Sequence, residues 1–225
     1  MKSPQYYRVF DYDKRLLPNL YLAALENTSK TIEEARRATG ATVGYPAWGL
    51  IYYLLLSHLQ PQNFNIILET GTNQVCTSIM LAQALRDSKR PGKVFTVELD
   101  NMNFQKALIN FELAGVSDLI EPFNCDSREF LKMFISENPT VRIAFLDASH
   151  LFNDLLDEFE ILYPALNAQS LVIFDNTYQI AEEFEDQRVN GALKEIVKRY
   201  GGNLINLEFV SWYTPGVALW QKGPF

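Results

Sequence analysis

From Asn65 onward the chain repeats one pattern, in which a short run rich in β-branched and aromatic residues is followed by a longer amphipathic stretch. Ile66-Ile67-Leu68 precedes 75–87, Val94-Phe95-Thr96-Val97 precedes 102–114, and Leu119 to Phe123 precedes 127–136. Arg142 to Leu146 then leads into 151–166, and Leu171 to Phe174 into 188–200. Strands alternating with helices of about 10 to 15 residues build βαβ units, and these bury a parallel sheet between helical layers. Two last strands, 204–210 and 217–221, lie only Trp212 to Gly216 apart and read as an antiparallel hairpin at the edge. The pattern predicts an α/β fold: a doubly wound, mostly parallel, seven-stranded Rossmann-like sheet. The first 64 residues carry no strand pattern. They show helical spacing over Glu26 to Arg37 and an apolar helix over Pro46 to Leu59, then the breakers Pro61, Asn63 and Asn65. We expect an N-terminal helical extension, 1–64, serving as a lid or oligomer contact, ahead of an α/β domain at 65–225.

Charge excludes some partners. The net charge is −7, yet residues 1–146 balance 15 acids against 15 bases, so the excess lies in 147–225, with 12 acids and 5 bases. The window 147–187 holds ten acids and no Lys or Arg. Nucleic-acid binding needs a basic footprint, so no nucleic-acid partner is expected, and the acidic window suits a cation instead. Residues 1–8 lack the apolar core of a signal peptide. The longest apolar run, Trp48 to Leu56, is far shorter than the ~20 residues that cross a bilayer. A cytoplasmic protein without a membrane partner is the expectation. Cys76 and Cys125, without short-spaced partners, read as buried small apolar residues rather than a disulfide or zinc framework.

Most strands end in a carboxylate: Glu69, Glu98, Asp126, Asp147 and Asp175 follow the five in order. In open α/β sheets ligands bind outside the carboxyl ends of the strands, so these acids gather on one rim. The first turn, Glu69-Thr70-Gly71-Thr72-Asn73-Gln74, has one glycine where a dinucleotide turn wants three, which argues against NAD or FAD. A ligand without phosphates fits better, its amino-acid moiety near Glu69 and Gly71 and its ribose hydroxyls on Glu98. Asp126, beside Ser127, is equally suited to cap the helix that follows.

These residues, in this order, resemble the class I S-adenosylmethionine-dependent methyltransferases, and among them the metal-dependent O-methyltransferases of the catechol and caffeoyl-CoA type. They are similar also to antibiotic and sugar O-methyltransferases and to the cephalosporin-hydroxylase-like group. The resemblance covers about Asn65 to Lys222 and rests on Glu69-Thr70-Gly71, Glu98, Cys125-Asp126-Ser127, Phe145-Leu146-Asp147-Ala148-Ser149-His150 and Val172-Ile173-Phe174-Asp175-Asn176. It implies an S-adenosylmethionine site made by Glu69, Gly71, Thr72, Thr77, Glu98, Asp126, Ser127 and Asp147. It also implies a Mg²⁺ site made by Asp147, Asp175 and the side-chain oxygen of Asn176. His150 stands where the catechol-type enzymes carry a lysine base, so His150 and Asp147 are the expected catalytic pair. The chain departs from the family at Val75 and Cys125, which stand where glycines are usual.

Hard oxygen ligands suit Mg²⁺, which would hold neighbouring substrate oxygens and acidify a hydroxyl facing the sulfonium methyl. The expected function is Mg-assisted O-methyl transfer to a hydroxylated small molecule: a sugar, polyketide, phenol or amino-acid derivative. A non-catalytic nucleoside- or partner-binding relative is the alternative, motivated by Val75 and Cys125. The competing readings are that Asp175-Asn176 only turns the chain after the strand and that His150 caps the next helix. Leu151, Leu155, Phe159 and Leu162 form the apolar stripe of helix 151–166, so Asp154, Asp157, Glu158 and Glu160 are expected on its solvated face. His58 reads as a core or surface histidine. Tyr6, Tyr7, Trp48, Trp212 and Tyr213 suit an acceptor wall, the core or a homodimer contact. Glu182 to Asp186 carries no assigned role.

Overall fold

The computed structural model describes residues 18–28, 47–73, 76–137, 140–177, 188–207 and 216–223. Among them are seven α-helices and seven strands. The helices are α1 (Leu20–Thr28), α2 (Ala47–His58), α3 (Cys76–Ser88), α4 (Asn101–Leu113), α5 (Ser127–Glu137), α6 (Phe152–Leu162) and α7 (Val189–Tyr200). The strands are β1 (Asn65–Thr70), β2 (Gly92–Val97), β3 (Ile120–Phe123), β4 (Ile143–Leu146), β5 (Leu171–Asp175), β6 (Asn203–Leu207) and β7 (Val217–Gln221). No described helix is long and apolar enough to cross a membrane.

The sheet order is β3-β2-β1-β4-β5-β7-β6, with β7 antiparallel to both neighbours and every other pairing parallel. The hairpin predicted at the edge forms, but its second strand lies inside. β7 is apolar (Val217, Ala218, Leu219, Trp220) and mostly buried, whereas β6 carries Asn203 and Asn206 and takes the exposed border. Strand order reverses between β1 and β4, where the chain winds one way through β2 and β3 and then returns. A crevice at the carboxyl ends follows from that reversal.

Side-chain alternation sorts the core into two layers. Ile67, Ile143, Phe145, Leu171 and Ile173 face α1 to α4, while Leu68, Ala144, Leu146, Val172 and Phe174 face α5 to α7. The helices before Asn65 belong to the first layer, since Leu22, Ile51, Leu55 and Leu59 are buried with β1 and α3. Polar ties reinforce that packing. Asn19 Nδ2 donates to the Ala114 carbonyl (3.1 Å), and Tyr21 Oη to Asn110 (2.7 Å). Arg142 Nε donates to the carbonyl of His58 at the end of α2 (2.9 Å), and the His58 ring lies 2.7 Å from the Gln169 carbonyl. His58 is therefore structural, and burial followed by the Arg142 charge pushes its pKa down.

In the second layer Phe159 of α6 is fully buried, edge-on to Trp220 (centroids 5.0 Å apart) and beside Phe174 and Tyr200. Its removal leaves a cavity that rigid neighbours cannot fill. Phe159→Ala should lower stability by about 3–5 kcal/mol, read as a shift of the urea unfolding midpoint at unchanged slope.

Candidate functional site

At the end of β1 the backbone itself is the first constraint. Gly71 has φ +86°, and a Cβ there would stand 2.3 Å from the Asp147 carbonyl oxygen and 2.8 Å from Ala148 Cα. The glycine is thus required by the segment after β4, which crosses directly over it, rather than by a ligand. The Gly71 and Thr72 amides both donate to the Val97 carbonyl (3.0 and 3.1 Å), and the Asp147 amide donates to Thr70 O (3.0 Å). Three strand ends are locked at one level.

Behind this turn Glu69 is buried, 1 % exposed, and its Oε2 accepts the Ser78 hydroxyl and that of Thr96 (2.6 Å), which in turn meets Thr72 Oγ1 at 2.5 Å. Burial pushes its pKa up to about 7, opposed by the two hydroxyls and aided by the Glu98 charge. Glu69, Thr72 and Thr77, all expected on the cofactor, are buried.

The turn borders a cavity of about 300 Å³. Four of the expected cofactor residues, Gly71, Glu98, Asp126 and Ser127, line it together with Cys125 and Arg128. Glu98 accepts the amides of Asn73 (2.6 Å) and Asp100 (2.8 Å), so it holds the loop after β1 to the end of β2. Asp126 does what its position beside Ser127 allowed: Oδ1 accepts the amides of Arg128 (2.9 Å) and Glu129 (3.3 Å) at the start of α5. The Arg128 guanidinium holds the Asp126 carboxyl below the usual range. Arg128 also reaches Asp154 Oδ1 (3.0 Å), whose Oδ2 accepts the Ser149 hydroxyl (2.7 Å). Burial raises the thiol pKa of Cys125, which keeps it an inert lining.

Glu158 departs from expectation. Instead of facing water it is 1 % exposed, on the stripe of Leu155, Phe159 and Leu162. One carboxylate oxygen accepts Ser127 Oγ–H and the other Thr70 Oγ1–H (3.0 Å). Burial pushes its pKa up to about 7; the two hydroxyls and Arg128 oppose that, and Asp126 adds to it. Leu151, expected on the stripe, is 58 % exposed and precedes the helix. The helical spacing of Leu155, Glu158 and Leu162 is the signal that marks Glu158 as inward-facing. For Arg128 the signal is its place directly after Asp126-Ser127.

Beyond β4 lies the second half of the rim. Asp147 is half-buried, and Asp175 is 1 % exposed at the end of β5. Asn176 has φ +56°, and its Nδ2 lies 2.7 and 2.9 Å from the ring nitrogens of His150. Burial, then the Arg188 charge, lowers the His150 pKa, so the ring is neutral near pH 7 and can accept the amide N–H. That contact leaves Asn176 Oδ1 for a cation but occupies the lone pair His150 would use as a base. One amide orientation serves one of the two expected roles. Among the described residues no three His, Cys, Asp or Glu side chains cluster tightly enough to cage a metal. What the rim offers is two carboxylates and an amide oxygen, a set that suits a Mg²⁺ keeping several waters. Val75, Tyr6, Tyr7, Trp212, Tyr213 and the 182–186 acids lie outside the described residues, as does the side chain of Trp48.

Two outcomes follow from this geometry. Gly71→Ala should lower the thermal midpoint and displace the Asp147 segment, seen as altered amide shifts at Asp147 and Ala148 by NMR. Because Glu69 and Glu158 have folded-state pKa values raised from 4.5 to about 7, the folded chain binds more protons than the unfolded one in that window. Stability therefore falls as pH rises from 5.5 to 7.5, by on the order of 5 °C in Tm, and Glu69→Gln should flatten that slope.

Residues 68–177 match the family model described as a methyltransferase domain. A rhamnosyl O-methyltransferase of Mycobacterium tuberculosis is 27 % identical over 157 residues, which is 62 % of this chain and 61 % of that protein, so the chain spans about three-fifths of the curated relatives' length. The O-methyltransferase TomG from Streptomyces achromogenes, solved with S-adenosylmethionine, is 18 % identical with a TM-score of 0.69 over 96 % of this chain and 93 % of that one. An O-methyltransferase from Bacillus cereus, solved with S-adenosylhomocysteine, is 17 % identical with a TM-score of 0.70 over 96 % and 94 %. At these identities the structural likeness is one of fold. The chain thus carries a match to a methyltransferase domain over 68–177, on a fold shared with O-methyltransferases solved with S-adenosylmethionine and S-adenosylhomocysteine.

Proposed function

We propose that the chain transfers the methyl group of S-adenosylmethionine to an oxygen of a hydroxylated small molecule, with Mg²⁺ assisting. The observation that carries this reading is the gathering of Gly71, Glu98, Asp126 and Ser127 around one cavity at the strand-order reversal. Ribose hydroxyls would bond Glu98, which retains acceptor capacity beside its two backbone donors. Asp147 and His150 flank the cavity-lining Ala148 and Ser149 and are the residues that would meet an acceptor hydroxyl. The C–S bond breaks as the C–O bond forms, sulfur keeps the electron pair, and the acceptor's proton leaves to a base. Positioning supplies much of the rate in such a displacement.

Asp147, Asp175 and Asn176 Oδ1 are the residues that would hold Mg²⁺, whose chemistry when bound is to lower the pKa of an acceptor hydroxyl. With Asn176 so engaged, His150 is an oriented neighbour; with the amide turned, its Oδ1 takes the ring N–H and the other nitrogen becomes a free base. The sugar acceptor in the name of the rhamnosyl relative makes deoxyhexose hydroxyls the first to test. Cys125, lining the cavity in place of the usual glycine, favours a second reading in which the nucleoside binds without turnover.

Calorimetry should show S-adenosylhomocysteine binding at micromolar concentration, and its absence would sink the first reading and the second alike. If turnover of a deoxyhexoside is found, Asp147→Ala should cut it at least ~100-fold with the fold intact. Turnover that resists EDTA yet falls with His150→Ala would remove Mg²⁺ and leave His150 as the base.

A further inference from the structure

Glu158 is an anomaly on α6. A carboxylate buried among Leu155, Leu156, Phe159 and Leu162 is costly to ionise, and a leucine there would complete the apolar stripe. No helix requires it, because Asp126 already caps α5. Its two partners identify what it does. Thr70 ends β1 and Ser127 begins α5; the first adjoins Gly71 on one wall of the cavity, and the second lines the other. Each carboxylate oxygen takes one hydroxyl hydrogen, so the Ser127 hydrogen points at Glu158. Only its lone pairs remain for the cavity.

We infer that Glu158 is a positioning residue for the cofactor, fixing the distance between the two cavity walls and holding the Ser127 hydroxyl as a hydrogen-bond acceptor toward the occupant. This role deepens the proposed function and rests on it. An acceptor at that place selects an N–H or O–H donor, which a nucleoside carries on its amine and ribose. The groups acting on Glu158 are consistent with ionisation near neutrality: Arg128 favours the charged form and Asp126 opposes it. Asp154, one turn earlier, is tied to Arg128 and Ser149, and Glu98 stands elsewhere on the cavity wall. Protonation of Glu158 frees the Ser127 hydroxyl to turn, and the fixed acceptor is lost.

Affinity for S-adenosylhomocysteine, measured by calorimetry from pH 6 to 8 on the full chain, tests this. In the unsubstituted protein affinity should fall as pH drops through about 7. Glu158→Ala should weaken binding about tenfold at pH 8, the size of one lost buried hydrogen bond. Glu158→Gln, which matches the protonated acid in shape and in having one acceptor and one donor, should hold affinity near the low-pH value of the unsubstituted protein across the whole range and remove this pH dependence. A Glu158→Ala protein that loses thermal stability but binds as tightly as before overturns the inference, as does wild-type pH dependence in Glu158→Gln. If Glu158→Ala fails to fold, Thr70→Val serves. It deletes one donor in the same shape and should raise the midpoint of the pH profile, and an unmoved midpoint and affinity refute the role. No binding by the unsubstituted protein removes the cofactor reading and this role with it; normal binding with indifferent Glu158 variants removes this role alone.

Discussion

The segment after β4 crosses the turn after β1 with no room between them, and the remainder of the rim is arranged around that crossing. The Asp147 carbonyl occupies the volume a side chain at 71 would need, while its amide is fixed to Thr70 and the Gly71 amide to Val97. The ends of β1, β2 and β4 cannot shift independently. Gly71 is conventionally explained by the approach of a ligand, yet here the protein's own backbone is the tighter constraint. A cavity built on such a crossing is largely formed before anything enters it, which reduces what binding must spend on ordering loops.

Three buried acids in or next to the wall of that cavity are engaged by the protein's own groups. Glu69 ties β1 to α3 and β2 through Ser78 and Thr96, Glu98 ties the β1 turn to the end of β2, and Glu158 ties β1 to α5. A buried polar group left without its partner costs about 1–3 kcal/mol, whereas an exposed ion pair contributes about 0–1 kcal/mol. The Arg128 bridges to Asp126 and Asp154, whose side chains are about one-third exposed, are therefore the weaker fastening, and the carboxylate–hydroxyl contacts the stronger.

Periodicity made most of the architecture legible. Runs such as Val94 to Val97 and Leu171 to Phe174 are apolar on both faces because both are covered, and their helices lie within a residue or two of the expected bounds. The position of β7 was not legible, because hairpin spacing sets which strands pair but not which of the two lies inside. That choice was made by apolar content. The acids at the strand ends were legible as a rim, but whether each would face a ligand or its own backbone depends on amides such as those of Asn73 and Asp100, which every residue carries. Glu158 was misplaced by residue type, since its spacing from Leu155 and Leu162 fits the buried stripe better than its charge fits the solvent.

The reversed direction of β7 has an architectural consequence. β6 ends, and β7 begins, at the border where Asp175 and Asn176 stand, since Asp175 pairs with Val217 and the Thr177 amide meets the Gly216 carbonyl at 3.5 Å. Leu207 at the end of β6 and Val217 at the start of β7 pair with each other and thus stand beside Asp175, at the same border of the sheet. A substitution at either of those strand ends would act beside Asp175 and leave Glu98, at the end of β2 and four strands from β7 in the sheet order, undisturbed. Such a division lets one half of a site diversify while the other stays constant.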